Sequence, residues 1–169
     1  MERGISRLLR GAGETMSGLG TPEQKLAALV RMHVVSHGTH RMLHVVNDTE
    51  FRALGGVHRE VIGGKRDEYE AIWRGVVSEG ISAGVFAVDD PRLAGFALLQ
   101  MCTGVAHWYS PEGPLSIVGI ADQFADMALS LVGARRDGKT LRTADLDLPD
   151  AFRVLADEPV EAAALSSGR

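Results

Sequence analysis

Four histidines are the residues of this 169-residue chain whose spacing most directly suggests chemistry. They follow one another at intervals of four, three and four residues: His33, His37, His40 and His44. On one continuous helix they would share a face, and two neutral imidazoles four residues apart can chelate a transition metal. Gly38 and Thr39 interrupt the helical pattern, so we expect the histidines to divide into two pairs on different segments. A metal-binding helical protein or enzyme using these four residues is the alternative function.

No other pattern in the sequence indicates catalysis. It contains no Gly-rich phosphate loop, no Gly-x-Ser-x-Gly elbow and no Cys-His pair with a recognisable spacing. The carboxylates within residues 67–70 fall beside Lys65 and Arg66, on what should be the solvated side of a helix, where local ion pairs are expected. The single cysteine, Cys102, lies in an apolar helical pattern and is typical of a small core residue. We therefore predict a protein that is not an enzyme and needs no cofactor.

Length and composition predict one acidic domain. A chain of this size buries one core comfortably but not two. Its net charge of -4 offers no overall basic field for nucleic acid. No apolar run approaches the roughly 20 residues that cross a bilayer, and the first ten residues lack the apolar centre of a signal peptide. We expect a cytoplasmic protein without a membrane partner.

Apolar residues recur at three- and four-residue steps through most of the chain, which predicts an all-α fold. A helix is expected over residues 1–17, and Thr21-Pro22-Glu23-Gln24 is a strong start for a second one that ends near Gly38. Short helical pieces are expected over residues 41–46 and 50–54. The longest helix is predicted over residues 57–84, with Gly63-Gly64 bending it or separating its first turn.

Two adjacent apolar helices are predicted within residues 90–132, joined by the Pro- and Gly-rich corner at residues 109–116. Both patterns are apolar over a wider arc than one neighbouring helix would cover. Such a pair can add the same pair from a second copy and form a four-helix bundle across a two-fold axis. Burial of both faces within one chain is the alternative.

Five segments, taken in their order, resemble the C-terminal domain of TetR-like transcriptional regulators. They are PEQKLAALVRMH (22–33), KRDEYEAIW (65–73), EGISAGVF (79–86), DPRLA (90–94) and WYSPEGPLS (108–116). The resemblance covers residues 1–132. It implies a homodimeric, effector-binding domain in transcription regulation, typically in a repressor, whose last two helices form the intersubunit four-helix bundle.

The resemblance also implies a division of the chain. Residues 1–133 would be the effector-binding and dimerisation domain, and residues 1–17 within it would be a remnant of the helix that connects to the DNA-binding segment. The family's helix-turn-helix is absent from this chain, so we expect DNA contact only through an upstream segment. Residues 134–169 mix charges of both signs with proline and are predicted to be a loose tail, with one possible short helix at 150–156.

A small-molecule pocket would be lined by the inward faces of three predicted helices. The candidates are Leu29, Met32, His33, Ser36, Tyr69, Ile72, Trp73, Val76, Leu98, Met101, Cys102 and Val105, with plain core packing as the alternative for each. Ser36, His33, Tyr69 and Trp73 are the strongest, because a buried polar group needs a partner that a ligand can supply. Lys and Arg do not converge there, which favours an uncharged or weakly charged apolar or aromatic effector.

The dimer interface is predicted on the two helices within residues 90–132. Its candidate residues are Phe96, Gln100, His107, Ile117, Ile120, Phe124, Ala128 and Leu131.

Overall fold

The computed structural model describes residues 2–46 and 55–150, and these form a helical domain. Helix α3 is described over residues 41–46. The other helices are α1 (Glu2–Met16), α2 (Pro22–Thr39), α4 (Gly56–Ser82), α5 (Pro91–Thr103), α6 (Val105–Trp108) and α7 (Ile117–Leu131). Two short antiparallel strands, β1 (Arg135–Arg136) and β2 (Lys139–Thr140), and a 3-10 turn (Thr143–Asp145) follow. The all-α prediction is confirmed.

Side-chain caps begin three of the helices where the sequence predicts them. The Thr21 hydroxyl accepts the Gln24 N–H at the start of α2, and Pro22 occupies the first turn. Asp90 accepts two backbone N–H groups of the first turn of α5, at 2.8 and 3.1 Å. Ser116 accepts the Gly119 N–H at the start of α7. These bonds satisfy N–H groups that have no partner within the helix, so each helix has a defined first residue.

Helix α2 lies at the centre of the domain. It packs against α1, α4, α5, α6 and α7, and nearly all of its residues from Pro22 to Gly38 are buried. Its most extensive contact is with α7. Polar residues on the buried faces of such a helix have no access to water, so they must find partners inside the protein.

Two glycines allow elements to approach closely. Gly38 lies in the last turn of α2, which ends at Thr39, close to the predicted end; a Cβ at this position would overlap the Ile117 side chain of α7. A Cβ on Gly80 of α4 would lie 2.0 Å from the Phe86 ring. Gly63 and Gly64 instead face open space, and α4 continues through both of them without a break.

Residues 134–150 form a C-terminal strap, and the prediction of a loose tail is wrong over this range. Ala134 and Leu141 are buried, and the Ala87 N–H and the Val85 carbonyl bond to the backbone of Val132 and Arg135. Sequence periodicity misses the strap because its few apolar residues are irregularly spaced and pack on distant parts of the chain.

Polar contacts fasten the C-terminal strap to the helices. Arg31 Nη1 donates to the Pro149 carbonyl at 2.7 Å, while its Nε donates to Asp122 of α7 at 2.7 Å. The fully buried carboxylate of Glu23 forms an ion pair with Arg136. A buried carboxylate needs such a cation, so the strap, which supplies Arg136, covers the N-terminal end of α2.

Two further predictions cannot be compared with the structure. The helical turn expected over residues 50–54 and the short helix expected over 150–156 lie outside the described residues, except for residue 150 itself.

Gly80 provides a test of the packing between α4 and the segment that follows it. We expect Gly80→Ala to lower the free energy of unfolding by roughly 1–3 kcal/mol, because the new methyl group displaces the buried Phe86 ring. Chemical denaturation followed by circular dichroism measures the change. Gly75→Ala on the same helix is the matched control: its site is exposed with nothing within 4 Å, so we expect a gain of up to about 1 kcal/mol from helix propensity. Equal effects would contradict the close contact.

Candidate functional site

A buried chain of polar side chains joins three helices in the core. His33 of α2 is 1% exposed, and its Nδ1 lies 2.9 Å from the Tyr69 hydroxyl of α4. Its Nε2 lies 3.2 Å from Thr103 Oγ1 at the end of α5. A neutral imidazole donates through one nitrogen and accepts through the other, so both contacts can be satisfied together. The hydrogen-bonded side chains of Tyr69, His33 and Thr103 therefore link α2, α4 and α5 at the place where the effector site is predicted.

Three of the four histidines form a stacked column. The ring centroids of His33 and His37 are 3.9 Å apart, and those of His37 and His44 are 3.7 Å apart, with the planes within 18° of parallel. His37 Nδ1 donates to the His33 carbonyl at 3.0 Å, and His44 Nε2 lies 3.4 Å from Ser36 Oγ. The column runs from the polar chain on α2 to α3.

The stacked geometry argues against the alternative of a metal site. His40 is only half-buried, and its Nδ1 lies 3.0 Å from Thr39 Oγ1, with no ring stacking on the column among the described contacts. In residues 2–46 and 55–150, no three His, Cys, Asp or Glu side chains are placed to hold a metal ion together. Parallel rings in face contact direct their nitrogens outward from the stack, whereas a metal needs them to converge. The four histidines do divide between two segments, but their arrangement does not favour the metal-binding alternative.

Burial keeps His33 and His37 uncharged. It lowers the pKa of His33 well below the ordinary value, and the neighbouring His37 and His44 add to the effect. Burial also lowers the pKa of His37 to about 4, although the bond to the His33 carbonyl opposes the shift. His107 and His40 lower it slightly further. The imidazoles of His33 and His37 are therefore neutral at pH 7.

Trp73 and Cys102 are two further buried side chains with polar atoms close to His33 and Tyr69. Trp73 is fully buried, and its ring meets that of His33 edge-on at 5.4 Å. Burial raises the pKa of the Cys102 thiol far above its usual value, and burial likewise raises the pKa of the Tyr69 hydroxyl. These groups are also neutral at pH 7, so the region offers hydrogen bonds without charge.

The other predicted pocket residues surround the polar chain as apolar walls. Ile72 and Met101 are half-buried, and the rest are buried: Leu29, Met32, Val76, Leu98 and Val105. Cavities of about 400 and 290 Å³ lie elsewhere, the first lined by residues of α7 and Arg142 and the second by residues of α4 and α5. None of the twelve candidates lines either of these cavities. The candidate effector site is thus closed by its own side chains.

Sequence reasoning misses Thr103 and Glu23. Thr103 follows Met101 and Cys102 directly and is half-buried at the end of its helix; its hydroxyl in an apolar run is the signal that could have identified it. Glu23 has the appearance of an ordinary acidic residue in a first helical turn, and its burial depends on the distant Arg136. No local sequence pattern indicates an ion pair between residues so far apart in the chain.

The predicted dimer residues divide between the core and the surface. Ile117, Ile120 and Ala128 are buried within their own chain, so their assignment to the interface needs correction: the inward face of α7 covers α2. Phe124 and Phe96 are half-buried, and Gln100, His107 and Leu131 are exposed.

Additional apolar side chains are exposed on the last helices and on the corner before α7. Leu93, Trp108, Leu115 and Met127 are each at least half exposed. The Trp108 ring of α6 lies 6.2 Å from the Phe124 ring of α7, which joins the two helices on their outer side. We call Leu93, Phe96, Trp108, Phe124, Met127 and Leu131 the outer apolar face. Large apolar residues exposed together are typical of an interaction surface.

No helix in the described part of the chain is both long enough and apolar enough to cross a membrane.

The neutral histidine column predicts a specific loss of stability in acid. Between pH 6.5 and about 4 the unfolded chain protonates His37 and the folded chain does not, so the free energy of unfolding falls as the pH falls through this range. The loss is roughly 1 kcal/mol per pH unit for such a histidine. We expect His37→Phe to make the dependence shallower by about this amount, measured by urea denaturation at pH 7, 6 and 5.

His58→Phe is the control for that measurement, because His58 lies exposed on α4. It should leave the pH dependence close to that of the unmodified protein. A His37→Phe protein whose stability falls as steeply in acid would contradict a neutral His37 in the folded state.

Solved structures of other proteins share this architecture. A TetR-family regulatory protein from Rhodococcus RHA1 is 21% identical, with a TM-score of 0.74 over 80% of this chain and 71% of that chain. A TetR/AcrR-family regulator from Thermobifida fusca YX-ER1 is 24% identical, with a TM-score of 0.67 over 80% of this chain and 70% of that chain. AibR, crystallised with isovaleryl coenzyme A and operator DNA, is 21% identical, with a TM-score of 0.61 over 75% of this chain and 72% of that chain.

At these identities the likeness shows a shared fold. No curated protein sequence matches the chain significantly. The family model described as "Tetracyclin repressor-like, C-terminal domain" matches residues 19–132, which is most of the chain and includes α2, α4 and the three helices of the outer apolar face. The chain therefore belongs to the TetR family of transcriptional regulators and carries its all-α, ligand-binding C-terminal domain.

Proposed function

We propose that residues 1–133 bind a small uncharged effector between α2, α4 and α5 and pair with a second copy to control transcription. The observation that carries the proposal is the buried polar chain of Thr103, His33 and Tyr69, which joins those three helices inside an apolar core. Buried polar groups cost stability unless they are paired. A ligand bound where these groups converge would contact all three helices, so its binding would also change how the helices pack.

The charges of the region decide the class of effector. None of the twelve candidate pocket residues is Lys or Arg, and the histidines His33 and His37 are neutral at pH 7. AibR binds isovaleryl coenzyme A, whose phosphates require cationic partners. This site supplies hydrogen bonds and aromatic faces, which suit an uncharged or weakly charged apolar or aromatic molecule instead.

Effector binding would act on the helices that the polar chain connects. The site is closed by its own side chains, so a ligand must separate α4 or α5 from α2 to enter. The C-terminal strap holds the N-terminal half of α2 through Glu23 and Arg31, whereas His37 and His44 couple its other half to α3. We therefore expect α3 and the first half of α4 to move when the effector binds. DNA contact is assigned to a helix-turn-helix of the family type, outside residues 19–132.

The outer apolar face is proposed to pair two copies of the chain. Its residues come from α5, α6 and α7, so two such faces across a two-fold axis bring the last helices of both copies together. Large side chains at its centre, above all the adjacent rings of Trp108 and Phe124, are the kind of residue that dominates the energy of protein interfaces.

The proposed dimer is tested by its mass in solution. We expect light scattering of the unmodified chain to give twice the mass of 18.1 kDa, and Phe124→Glu to give a monomer, because a carboxylate at the centre of an apolar interface is buried without a partner. Val57→Glu places the same charge on an exposed apolar residue of α4 and should leave the dimer intact. A monomer at every concentration would count against pairing, and a dimeric Phe124→Glu protein would place the interface on another surface.

The proposed effector class is tested by a thermal-shift screen with neutral aromatic, neutral aliphatic and polyanionic compounds. A ligand at ten times its Kd should raise the midpoint of unfolding by roughly 3–6 °C. We expect hits among the neutral aromatic compounds and none for isovaleryl coenzyme A. Tyr69→Phe, which removes one hydroxyl from the polar chain, should weaken the hits. Binding of polyanionic ligands alone would refute the proposed class.

A further inference from the structure

We propose that the cleft between α4 and α5 binds a small zwitterion, a molecule that carries an ammonium group and a carboxylate at the two ends of a short apolar chain. The cleft has a volume of about 290 Å³, and none of the twelve candidate effector residues lines it. Its walls combine carboxylates, guanidinium groups and one aromatic ring: Asp67, Glu70, Arg74, Arg92, Gly95 and Phe96. Side chains of both charges therefore surround one small space outside the candidate effector site.

One wall of the cleft is a charged stripe of α4. Asp67 and Glu70 are three residues apart, and Arg74 follows Glu70 by four, so all three lie on one face of the helix. At the rise of an α-helix, Arg74 is about 6 Å further along the axis than Glu70 and about 10 Å further than Asp67. The carboxylates thus lie toward one end of this wall and the guanidinium group toward the other.

The other wall is the first half of α5. Gly95 lets this helix approach closely, because a Cβ there would lie only 3.4 Å from the backbone nitrogen of Arg74. The guanidinium carbon of Arg92 lies 5.5 Å from the centre of the Phe96 ring, in a cation–π contact. Helix α5 therefore adds a second cation and an apolar surface beside Arg74.

The charged side chains of the cleft do not neutralise one another. Within residues 2–46 and 55–150, no hydrogen bond or ion pair engages the side chains of Asp67, Glu70, Arg74 or Arg92. Glu70 precedes Arg74 by four residues, the spacing and order that favour an ion pair along a helix, and Asp67 and Glu70 repel each other at a spacing of three. Both signs of charge are therefore available to a ligand that enters the cleft.

These unpaired charges define the ligand. An ammonium group beside Asp67 and Glu70 would relieve their repulsion, and a carboxylate beside Arg74 and Arg92 can accept paired hydrogen bonds from a guanidinium group. A short methylene chain between the two charged groups would pass the Phe96 ring and the bare backbone at Gly95. A molecule with only one charge would leave one set of side chains uncompensated, so it should bind more weakly.

The test of the ligand class uses three compounds with the same six-carbon chain: 6-aminohexanoate, hexanoate and hexylammonium. Each is titrated into the full nitrogen-15-labelled chain, and the backbone N–H signal of Gly95 reports binding in the cleft. We expect 6-aminohexanoate to bind roughly 5-fold more tightly than either compound with a single charge. Because the cleft is open to water, its affinity should fall as the salt concentration rises from about 0.05 to 0.5 M.

Substitutions at the two ends of the α4 wall test the residues. Glu70→Gln and Arg74→Gln should each weaken the binding of 6-aminohexanoate by roughly 2- to 5-fold, because each removes one of the exposed charges that meet the ligand. Glu68→Gln is the matched control: it makes the same change on the same helix, at an exposed side chain that does not line the cleft. It should leave the affinity unchanged.

Three results would overturn the zwitterion site. They are equal affinity for the zwitterion and for a compound with a single charge, a Gly95 signal that none of the three compounds moves, and a loss of affinity in Glu68→Gln as large as that in Glu70→Gln. None of them bears on the proposed effector site, which uses other residues and a neutral ligand.

Discussion

The burial of most of α2 is the constraint on which the rest of the structure depends. A helix packed against five others loses water along most of its length, so the polar groups on its buried faces must be paired, neutral, or both. Glu23 at its N-terminal end is paired with a cation, and His33 and His37 toward its C-terminal end are neutral. One physical requirement therefore has two different solutions along one helix.

These two solutions divide α2 into a fixed half and a responsive half. Glu23 in the first turn and Arg31 at the middle of the helix tie it to the C-terminal strap and to α7 by charged side chains. In the second half, hydrogen bonds of neutral groups connect His33 to α4 and α5, and stacked rings connect it to α3. Neutral contacts of this kind can be exchanged for contacts with a ligand at modest cost.

Much of the helical framework follows from sequence because its causes are local. The cap at Thr21, the acidic start at Asp90 and the long apolar period of α4 lie within a few residues of the features they produce. Gly38 shows the limit of such reasoning: the local pattern places it at the end of α2, but the space that a side chain would need there is filled by Ile117 of α7. A distant contact, which the local pattern cannot specify, requires the glycine.

By itself, the sequence determined the all-α fold, the order of its helices, the family resemblance and the polar residues that a ligand could use, because periodicity, capping and composition act over short distances. Only the tertiary structure decided which faces are covered. It placed Ile120 and Ala128 in the core and left Phe124 partly exposed, it packed residues 134–150 onto α2, and it stacked His33, His37 and His44 when their spacing had suggested a metal. Burial depends on contacts between residues far apart in the chain, and the amino-acid pattern of one segment cannot specify them.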